Sequence, residues 1–197
     1  MKKKIAFFDF DGTITTKDTL LEFIKFSKGT FRFYFGFLLN SPYIVAYKLK
    51  LISNQAAKEK VLQFFFRNMS LSAFQDSCDQ FTDQVLPKLI RPQALQEIEK
   101  LKKEGTTIVI VSSSLQNWIR KWAEQKEVEL IATCLDIQND RLTGKISGYN
   151  CHGQEKLNRI NKEYTLSDYE EIYAYGDSAG DKPMLSIAHH RQMKPFR

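Results

Sequence analysis

Four aspartates of this 197-residue chain follow two short strand-like segments, and they stand in two pairs. Asp9 and Asp11 come after the first segment, and Asp177 and Asp181 come after the second. Carboxylates that converge repel each other, so a group of four needs a cation. Hard oxygen ligands of this kind suit Mg²⁺, which keeps waters and adds phosphate oxygens to its shell. If the two pairs meet in the fold, we expect them to form a magnesium site.

A hydroxyl group and an ammonium group accompany these carboxylates. Ser112 follows the apolar segment 106–111 (TTIVIV), and Lys156 lies near the start of a helical segment. A hydroxyl donor and a positive charge are the groups that a bound phosphate requires. Gly12 marks a tight turn directly after the first aspartate pair. The residues predicted to bind phosphate are Ser112, Lys156, Gly12 and Ser113.

Short strands alternate with helical segments along much of the chain. Residues 5–8, 106–111, 129–133 and 171–175 are predicted to be strands. This alternation predicts an α/β fold with a doubly wound, mostly parallel sheet. In such a sheet, ligands bind beyond the carboxyl ends of the strands. The aspartates and Ser112 are placed at those ends.

One long helical segment is inserted after the first strand. Residues 16–89 contain no convincing strand pattern, whereas 1–15 and 90–197 hold the predicted sheet. We therefore expect a Rossmann-like core made of 1–15 and 90–197, and an all-helical cap made of 16–89. Within the cap, Asn40-Ser41-Pro42 is predicted to break the helix, with Ser41 as N-cap and Pro42 as the first helical residue.

Aromatic residues and positive charge are concentrated in the predicted cap. Of the 15 phenylalanines, 14 lie in residues 1–81. The segment 23–69 has eight Lys and Arg against one Glu, which makes it +7. The whole chain is +6, so the other residues sum to −1. A chain whose positive charge is confined to one block does not have the uniformly basic coat of many nucleic-acid-binding proteins. Nucleic acid is therefore not expected as a partner.

The aromatic block has two interpretations. In the first, its phenylalanines form the apolar core of the cap, and the consecutive Phe64–Phe66 favour this interpretation. In the second, Phe31–Tyr47 is an amphipathic element that lies on an anionic membrane surface. Its basic flanks would be Lys25, Lys28, Arg32, Lys48 and Lys50. The uncharged segment 33–47 has 15 residues, fewer than the ~18 apolar residues of a spanning helix, so no transmembrane span is expected.

The order and spacing of these motifs resemble the haloacid dehalogenase-like superfamily of phosphohydrolases over nearly the whole chain. Asp9-Phe10-Asp11-Gly12-Thr13 resembles its first motif, and Val111-Ser112 resembles its second. Lys156 resembles its third motif, and residues 176–181 (GDSAGD) resemble its fourth. A helical cap directly after the first motif is similar to the phosphoserine-phosphatase-like branch, subfamily IB.

The resemblance implies a role for each motif residue. Asp9 would be the nucleophile that forms an aspartyl-phosphate. Asp11 would protonate the leaving oxygen and then activate water. Ser112 and Lys156 would hold the phosphoryl group. The implied Mg²⁺ ligands are Asp9, Asp177 and the backbone carbonyl of Asp11, with Asp181 close by.

Departures from phosphoserine phosphatases concern the substrate. Those enzymes usually follow the serine of the second motif with two glycines, where this chain has Ser113 and Ser114. They usually have Asn where this chain has Gly180. Their cap grips the amino acid with a Glu and an Arg. The candidates for substrate recognition in this cap are Asp18, Glu22 and Arg67.

The prediction is a Mg²⁺-dependent phosphatase that acts through an aspartyl-phosphate on a small-metabolite or lipid phosphomonoester. The alternatives are a phosphatidylglycerophosphate-type lipid phosphatase at the membrane surface, and a phosphotransferase or mutase with the same intermediate. A non-catalytic phosphate-binding module is least favoured. Three cysteines without a C-x-x-C pair favour a reducing compartment. We therefore expect a cytoplasmic protein, with peripheral contact at the inner membrane face under the second interpretation of the aromatic block.

Overall fold

The computed structural model describes residues 3–197. Its strands are β1 (Lys3–Phe8), β2 (Thr106–Leu115), β3 (Glu129–Thr133), β4 (Leu135–Gln138), β5 (Arg141–Ile146), β6 (Tyr169–Gly176) and β7 (His190–Met193). Its α-helices are α1 (Thr19–Lys28), α2 (Thr30–Lys48), α3 (Asn54–Phe66), α4 (Leu71–Gln84), α5 (Leu86–Leu89), α6 (Pro92–Lys103), α7 (Gln116–Gln125), α8 (Gln154–Glu163) and α9 (Lys182–Ser186).

A parallel sheet in the order β3-β2-β1-β6-β7 carries the fold. In the central strand β1, Phe8 lies beside Ile110 of β2 and Tyr175 of β6. Residues 5–8 of β1 are fully buried and divide between two hydrophobic clusters, one on each side of the sheet. The predicted α/β fold with a parallel, doubly wound sheet is confirmed. Because β1, β2 and β6 run in the same direction, their carboxyl ends meet at one edge.

The edge strand β7 is a feature that the sequence pattern does not indicate. The pattern predicts a helix up to residue 188, but α9 ends at Ser186. β7 then pairs in parallel with β6, and His190 lies beside Tyr173. The four residues of β7 (HRQM) are exposed and mostly polar. They lack the apolar run by which a buried strand is recognised.

α2 continues through Asn40-Ser41-Pro42, so the predicted helix start at Pro42 is wrong. Pro42 has no N–H, and it therefore leaves the carbonyl of Leu38 without its usual helical donor. The Ser41 hydroxyl donates a hydrogen bond to that carbonyl at 2.7 Å. Asn40 Nδ2 donates to the carbonyl of Gly36 at 2.8 Å. The Ser41 hydroxyl therefore supplies the donor that Pro42 lacks, and the helix continues past the proline. Among the helices of residues 3–197, none has the length and apolar character needed to cross a membrane.

The hairpin formed by β4 and β5 connects the sheet side of the molecule to α3. The sequence of residues 135–148 predicts a hairpin that turns near Asn139-Asp140, and the chain turns at these two residues. Asn68 and Leu142 are joined by a backbone hydrogen bond of 2.8 Å just beyond the end of α3. The hairpin belongs by sequence to the predicted core of 1–15 and 90–197, yet it packs on the predicted cap of 16–89. That division into core and cap stays a prediction.

An aromatic cluster lies where α1, α3 and α4 meet α7. The Phe23 ring of α1 is within 5.5 Å, centre to centre, of the rings of Phe66, Phe74 and Phe81, and within 4.8 Å of the Trp118 ring. Phe23 is completely buried. The cluster extends without interruption to Phe8 on the sheet. Helices inserted after β1 and residues of the sheet therefore share one apolar core.

Replacing Phe23 should destabilise the whole molecule. We expect Phe23→Ala to lower the free energy of unfolding by about 3–5 kcal/mol, because it leaves a cavity among four aromatic rings. Phe31→Ala is the matched control, since the Phe31 side chain is 82% exposed. The control should change that free energy by less than about 0.5 kcal/mol. Urea denaturation followed by circular dichroism measures both, and equal losses would contradict the assignment of the core.

Candidate active site

The turn after β1 holds Asp9 next to β6, the strand that precedes Asp177 and Asp181. The N–H of Asp9 donates to the carbonyl of Tyr175 in β6 at 2.9 Å, which extends the strand pairing to the site. Thr13 Oγ1 donates to Asp9 Oδ2 at 3.2 Å. Gly12 has a φ of +78°, and a Cβ there would lie 2.3 Å from Asp177 Oδ2. A glycine is therefore required for this turn to approach Asp177.

Lys156 lies between two carboxylates that come from different parts of the chain. Its Nζ donates to Asp9 Oδ1 at 2.5 Å and to Asp181 Oδ1 at 2.7 Å. Lys156 is only 1% exposed. Burial alone would lower the pKa of Lys156, but the two carboxylates raise it overall. Burial would likewise raise the pKa of Asp181, but Lys156 lowers it overall. The lysine is therefore a fixed cation on the floor of the site.

Asp9, Asp177 and Asp181 form an acidic cluster around this cation. Each offers a carboxylate oxygen, and the three oxygens lie within 4.8 Å of one another. Opposite ligands of an octahedral Mg²⁺ are about 4.2 Å apart, so small side-chain shifts would bring these oxygens into one shell. Burial, together with neighbouring carboxylates, raises the pKa of Asp9 to about 7 and raises the pKa of Asp177. Lys156 contacts Asp9 and Asp181, and Arg197 contacts Asp177, so three carboxylates face two cations. This all-oxygen donor set fits a divalent cation.

Asp181 is oriented by the loop that follows β6. Its Oδ2 accepts hydrogen bonds from the backbone N–H groups of Asp177 at 3.1 Å and Ser178 at 2.9 Å, and from the Ser178 hydroxyl at 2.9 Å. Arg197 Nη2 donates to Asp177 Oδ2 at 3.0 Å. The carboxylate of Asp11 is not part of the acidic cluster. The metal contact through the Asp11 backbone carbonyl stays a prediction.

Three donors hold the carboxylate of Asp11 in place. Its Oδ1 accepts from the Thr19 backbone N–H at 2.7 Å and from the Thr19 hydroxyl at 2.6 Å. Its Oδ2 accepts from the Ser114 hydroxyl at 2.6 Å. Trp118 Nε1 in turn donates to Thr19 Oγ1 at 3.0 Å. The side chain of Asp11 is thus positioned jointly by α1, the end of β2 and α7.

The two predicted serines are placed differently. Ser112 is completely buried, and its hydroxyl oxygen accepts from the backbone N–H of Ser114 at 3.0 Å. Ser113 lines the cavity that contains the acidic cluster. A role for Ser112 in holding phosphate stays a prediction, because its side chain lies beneath the cavity surface.

The cavity at the strand ends has a volume of about 390 Å³. Besides the predicted residues, it is lined by six that sequence reasoning missed, namely Thr16, Lys17, Asn54, His152, Ser178 and Arg197. His152 is predicted from its sequence context to be a core or surface residue, but its ring covers Gly180, where a Cβ would lie 2.3 Å from His152 Cε1. The small residue at position 180 therefore makes room for an imidazole. This pairing of distant residues leaves no local sequence signal.

Lys58 of α3 is a second residue that sequence reasoning missed. Its Nζ donates to the carbonyl of Ser113 and to Asn150 Oδ1. Burial lowers the pKa of Lys58 to about 8, although Asp11 and Asp18 oppose that shift. The sequence gives only a weak indication that Lys58 reaches the site. Lys58 is next to Ala57, which lies on the buried face of α3. Lys58 brings a cation from the predicted cap to the edge of the site.

The three candidates for substrate recognition have different positions. Asp18 lines the cavity and caps α1 through a hydrogen bond from the Leu21 N–H at 3.1 Å. Glu22 is paired with Lys17 at 3.0 Å, and only Lys17 lines the cavity. Arg67 follows α3 and lines a separate cavity beside the β4–β5 hairpin. Nine residues, or about 14 Å of helix, separate Arg67 from Lys58. The structure does not bring Arg67 to this cavity, and its role in substrate recognition stays a prediction.

A family model described as haloacid dehalogenase-like hydrolase matches residues 6–186. The chain belongs to this family. The match covers β1, the inserted helices and the acidic cluster. The family that the motifs resemble is therefore confirmed.

Relatives with curated names agree with this family. The chain is 32% identical to Protein CicA of Caulobacter vibrioides over 192 residues, which cover 96% of this chain and 85% of CicA. It is 24% identical to a phosphoserine phosphatase of Methanocaldococcus jannaschii over 193 residues, which cover 95% of this chain and 83% of that enzyme.

Solved structures share the fold of this chain. A protein of unknown function from Bordetella pertussis Tohama I has a TM-score of 0.84 at 21% identity, with 97% of this chain and 89% of that chain covered. A substrate-bound phosphoserine phosphatase has a TM-score of 0.72 at 17% identity, with 98% and 86% covered. At these identities the likeness shows the fold. Together with the curated relatives, it confirms the phosphoserine-phosphatase-like branch and the enzyme class, a phosphoric monoester hydrolase.

Removing one donor to Asp11 should slow turnover more than it weakens substrate binding. We expect Ser114→Ala to lower kcat by about 10- to 100-fold with little change in KM, because Asp11 loses its Oδ2 partner but stays in the site. The control is Ser77→Ala, whose hydroxyl donates to the carbonyl of Ala73 on an exposed surface. Steady-state kinetics with a phosphomonoester measure both variants. An unchanged kcat in Ser114→Ala would remove the positioning role.

Gly180 and His152 should behave as a coupled pair. A Cβ at position 180 pushes the imidazole out of its place, so we expect Gly180→Ala to lower kcat/KM by about 10- to 100-fold. In His152→Ala the clash is gone, and adding Gly180→Ala to it should have no further effect. Kinetics of the two single variants and the double variant give this interaction. Losses that simply add would show that the two positions act independently.

Proposed function

We propose that this chain is a Mg²⁺-dependent phosphatase in which Asp9 forms an aspartyl-phosphate. One observation carries the proposal: the Asp9 carboxylate contacts Lys156 at 2.5 Å and lies within 4.8 Å of the oxygens of Asp177 and Asp181. A carboxylate attacks a phosphate poorly because both are negative. A lysine and a divalent cation at the same position offset that repulsion.

The proposed reaction has two displacement steps. In the first, a carboxylate oxygen of Asp9 bonds to phosphorus, and the bond from phosphorus to the ester oxygen breaks. Asp11 in its acid form gives its proton to that leaving oxygen. In the second, Asp11 accepts a proton from a water molecule as the water oxygen bonds to phosphorus. The bond to Asp9 then breaks, which releases inorganic phosphate and restores both carboxyl groups.

The residues around Asp9 would have different electrostatic roles. Lys156 supports the equatorial phosphoryl oxygens, and Asp181 keeps Lys156 in place. Asp9 and Asp177 would hold Mg²⁺. The ion, when bound, neutralises charge on the phosphoryl group and helps to align it with the nucleophile. Thr13, which donates to Asp9 Oδ2, limits the rotation of the attacking carboxylate.

The substrate class that we propose is a phosphomonoester of a small metabolite or of a lipid. Basic groups from residues 16–89 adjoin the cavity, because Lys17 lines it and Lys58 reaches Ser113. Asp18 adds one negative group at the same rim. Phosphoserine is a candidate substrate, because one of the named relatives is a phosphoserine phosphatase. In this chain Asp18 and Lys58 would take the places of the Glu and the Arg with which the cap of phosphoserine phosphatases grips the amino acid. These side chains differ in length, so they would hold the ammonium and carboxylate groups of phosphoserine at different distances.

Asp9→Asn tests the nucleophile. We expect it to lower hydrolysis by at least about 10³-fold and to abolish acid-labile phosphoenzyme, because an amide cannot form the acyl-phosphate bond. The matched control is Asp168→Asn, which alters an exposed carboxylate away from the cavity. The measurement is phosphate release in Mg²⁺, with and without a chelator, across phosphoserine, glycerol phosphate and phosphatidylglycerophosphate. Full activity of Asp9→Asn would overturn the proposal.

The same assay separates a phosphatase from a phosphotransferase. Release of inorganic phosphate in proportion to the alcohol product supports hydrolysis. Alcohol product without an equivalent amount of phosphate, in the presence of an acceptor alcohol, would instead identify a transferase.

A further inference from the structure

The outer side of α2 is an exposed apolar face. We define the α2 face by Phe31, Phe35, Leu38, Val45, Leu49 and Leu51, whose side chains are between 50% and 82% exposed. Leu49 follows directly after the helix, and Leu51 lies three residues beyond its end. The five residues other than Leu51 recur at helical spacing, so they form one stripe on the side away from α3, and Leu51 lies next to the end of this stripe in the chain. A contiguous apolar stripe of this size on the surface indicates a contact with another surface.

The inner side of α2 fixes this orientation. Gly36 faces α3 so closely that a Cβ would lie 2.2 Å from the Phe65 ring. Phe37 packs on the same ring with a centroid distance of 5.8 Å. Asn40 is buried as well. The helix therefore cannot rotate its outer stripe inward without breaking these contacts, and exposure of the α2 face is a property of the fold.

Positive charge surrounds the α2 face. Residues 23–58 contain six Lys and Arg and no Asp or Glu. Arg32 lies at one end of the stripe, and Lys48 and Lys50 lie at the other, all in or next to α2. Lys28 of α1 is not part of this set, because its Nζ lies over the Phe66 ring at 4.9 Å. An apolar stripe with cations at both ends is complementary to an anionic membrane surface, where hydrocarbon lies beneath negatively charged headgroups.

We propose that the α2 face docks on an anionic lipid bilayer, with α2 parallel to the membrane plane. Its aromatic and aliphatic side chains enter the boundary between headgroups and acyl chains, and its lysines and arginines contact lipid phosphates. A second copy of this chain is the less suitable occupant. In a symmetric dimer through α2, both ends of one stripe are basic and would meet equally basic ends of the other.

Docking in this orientation brings the cavity close to the lipid headgroups. Leu51 precedes Asn54, which lines the cavity, by three residues, or at most about 10 Å of extended chain. The inference concerns the surface alone and holds for any substrate of the site.

Vesicle co-sedimentation tests the apolar part of the face. Wild-type protein should sediment with vesicles of phosphatidylcholine and phosphatidylglycerol at low salt, and much less with phosphatidylcholine alone. Phe31→Ser with Leu38→Ser should lower this partitioning at least about tenfold, because two exposed apolar side chains no longer enter the interface. Ile137→Ser with Met193→Ser is the matched control, since it also removes two exposed apolar side chains, which lie on β4 and β7. Thermal melts followed by circular dichroism confirm that each variant is folded.

A second pair of variants tests the charge. Arg32→Gln with Lys48→Gln should weaken partitioning roughly 20-fold, and Lys103→Gln with Lys145→Gln, which changes net charge equally, should leave it nearly unchanged. High salt should reduce binding of the wild type. Phe35→Trp places a fluorescent probe in the stripe, and its emission should shift to the blue and be quenched by brominated lipids.

Some outcomes would overturn the proposal. Absence of sedimentation with anionic vesicles at low salt is one. Equal loss in the control variants is another, because it would assign binding to overall charge or hydrophobicity. A lipid-free dimer that the Phe31→Ser and Leu38→Ser pair dissociates would assign the face to a second copy.

Discussion

The buried contact of Lys156 with Asp9 and Asp181 is the interaction on which the site depends. Each carboxylate loses water when the chain folds, and each repels the other. The ammonium group between them compensates both effects, at distances of 2.5 and 2.7 Å. Asp9 follows β1, Asp181 follows β6, and Lys156 is on α8, so the triad exists only when both strands are paired and α8 is packed on them. The proposed catalytic residues can therefore come together only after the sheet has formed.

The sheet and the acidic cluster were predictable because both follow from local patterns. Apolar runs at residues 5–8 and 106–111 are typical of strands buried on both faces, and a parallel sheet brings their carboxyl ends together. Once the order of the strands is given, Asp9, Asp177 and Asp181 have to converge. Gly12 is part of the same pattern, because the turn that it makes is the reason the backbone can approach Asp177.

Features that depend on contacts between distant segments were not predictable in this way. Lys58 resembles any other lysine on a helix, and only the packing of α3 near the end of β2 shows that its side chain reaches Ser113. His152 and Gly180 are 28 residues apart and carry no shared signal, yet they fill one space. Pro42 is a strong helix breaker, but the Ser41 hydroxyl donates to the Leu38 carbonyl, which the missing N–H of Pro42 leaves without its helical donor. β7 is polar and exposed, so its own sequence does not predict a strand. It is recognised as one only by its pairing with β6.

The hairpin of β4 and β5 has a consequence for any opening of the site. The chain enters and leaves the inserted helices at Ile14–Thr16 and Leu89–Arg91, where two backbone hydrogen bonds of 2.8 Å join the connections side by side. Such a pair would form a simple hinge. The hairpin, however, is seated on α3, where a Cβ on Gly144 would lie 2.6 Å from the Cα of Gln63. It cannot slide along that helix, so any displacement of α3 would have to carry the hairpin with it. The hairpin is tied to the sheet side by a second pair of connections, where the Ser147 N–H donates to the Cys134 carbonyl at 2.9 Å, so four chain crossings restrain α3 and not two.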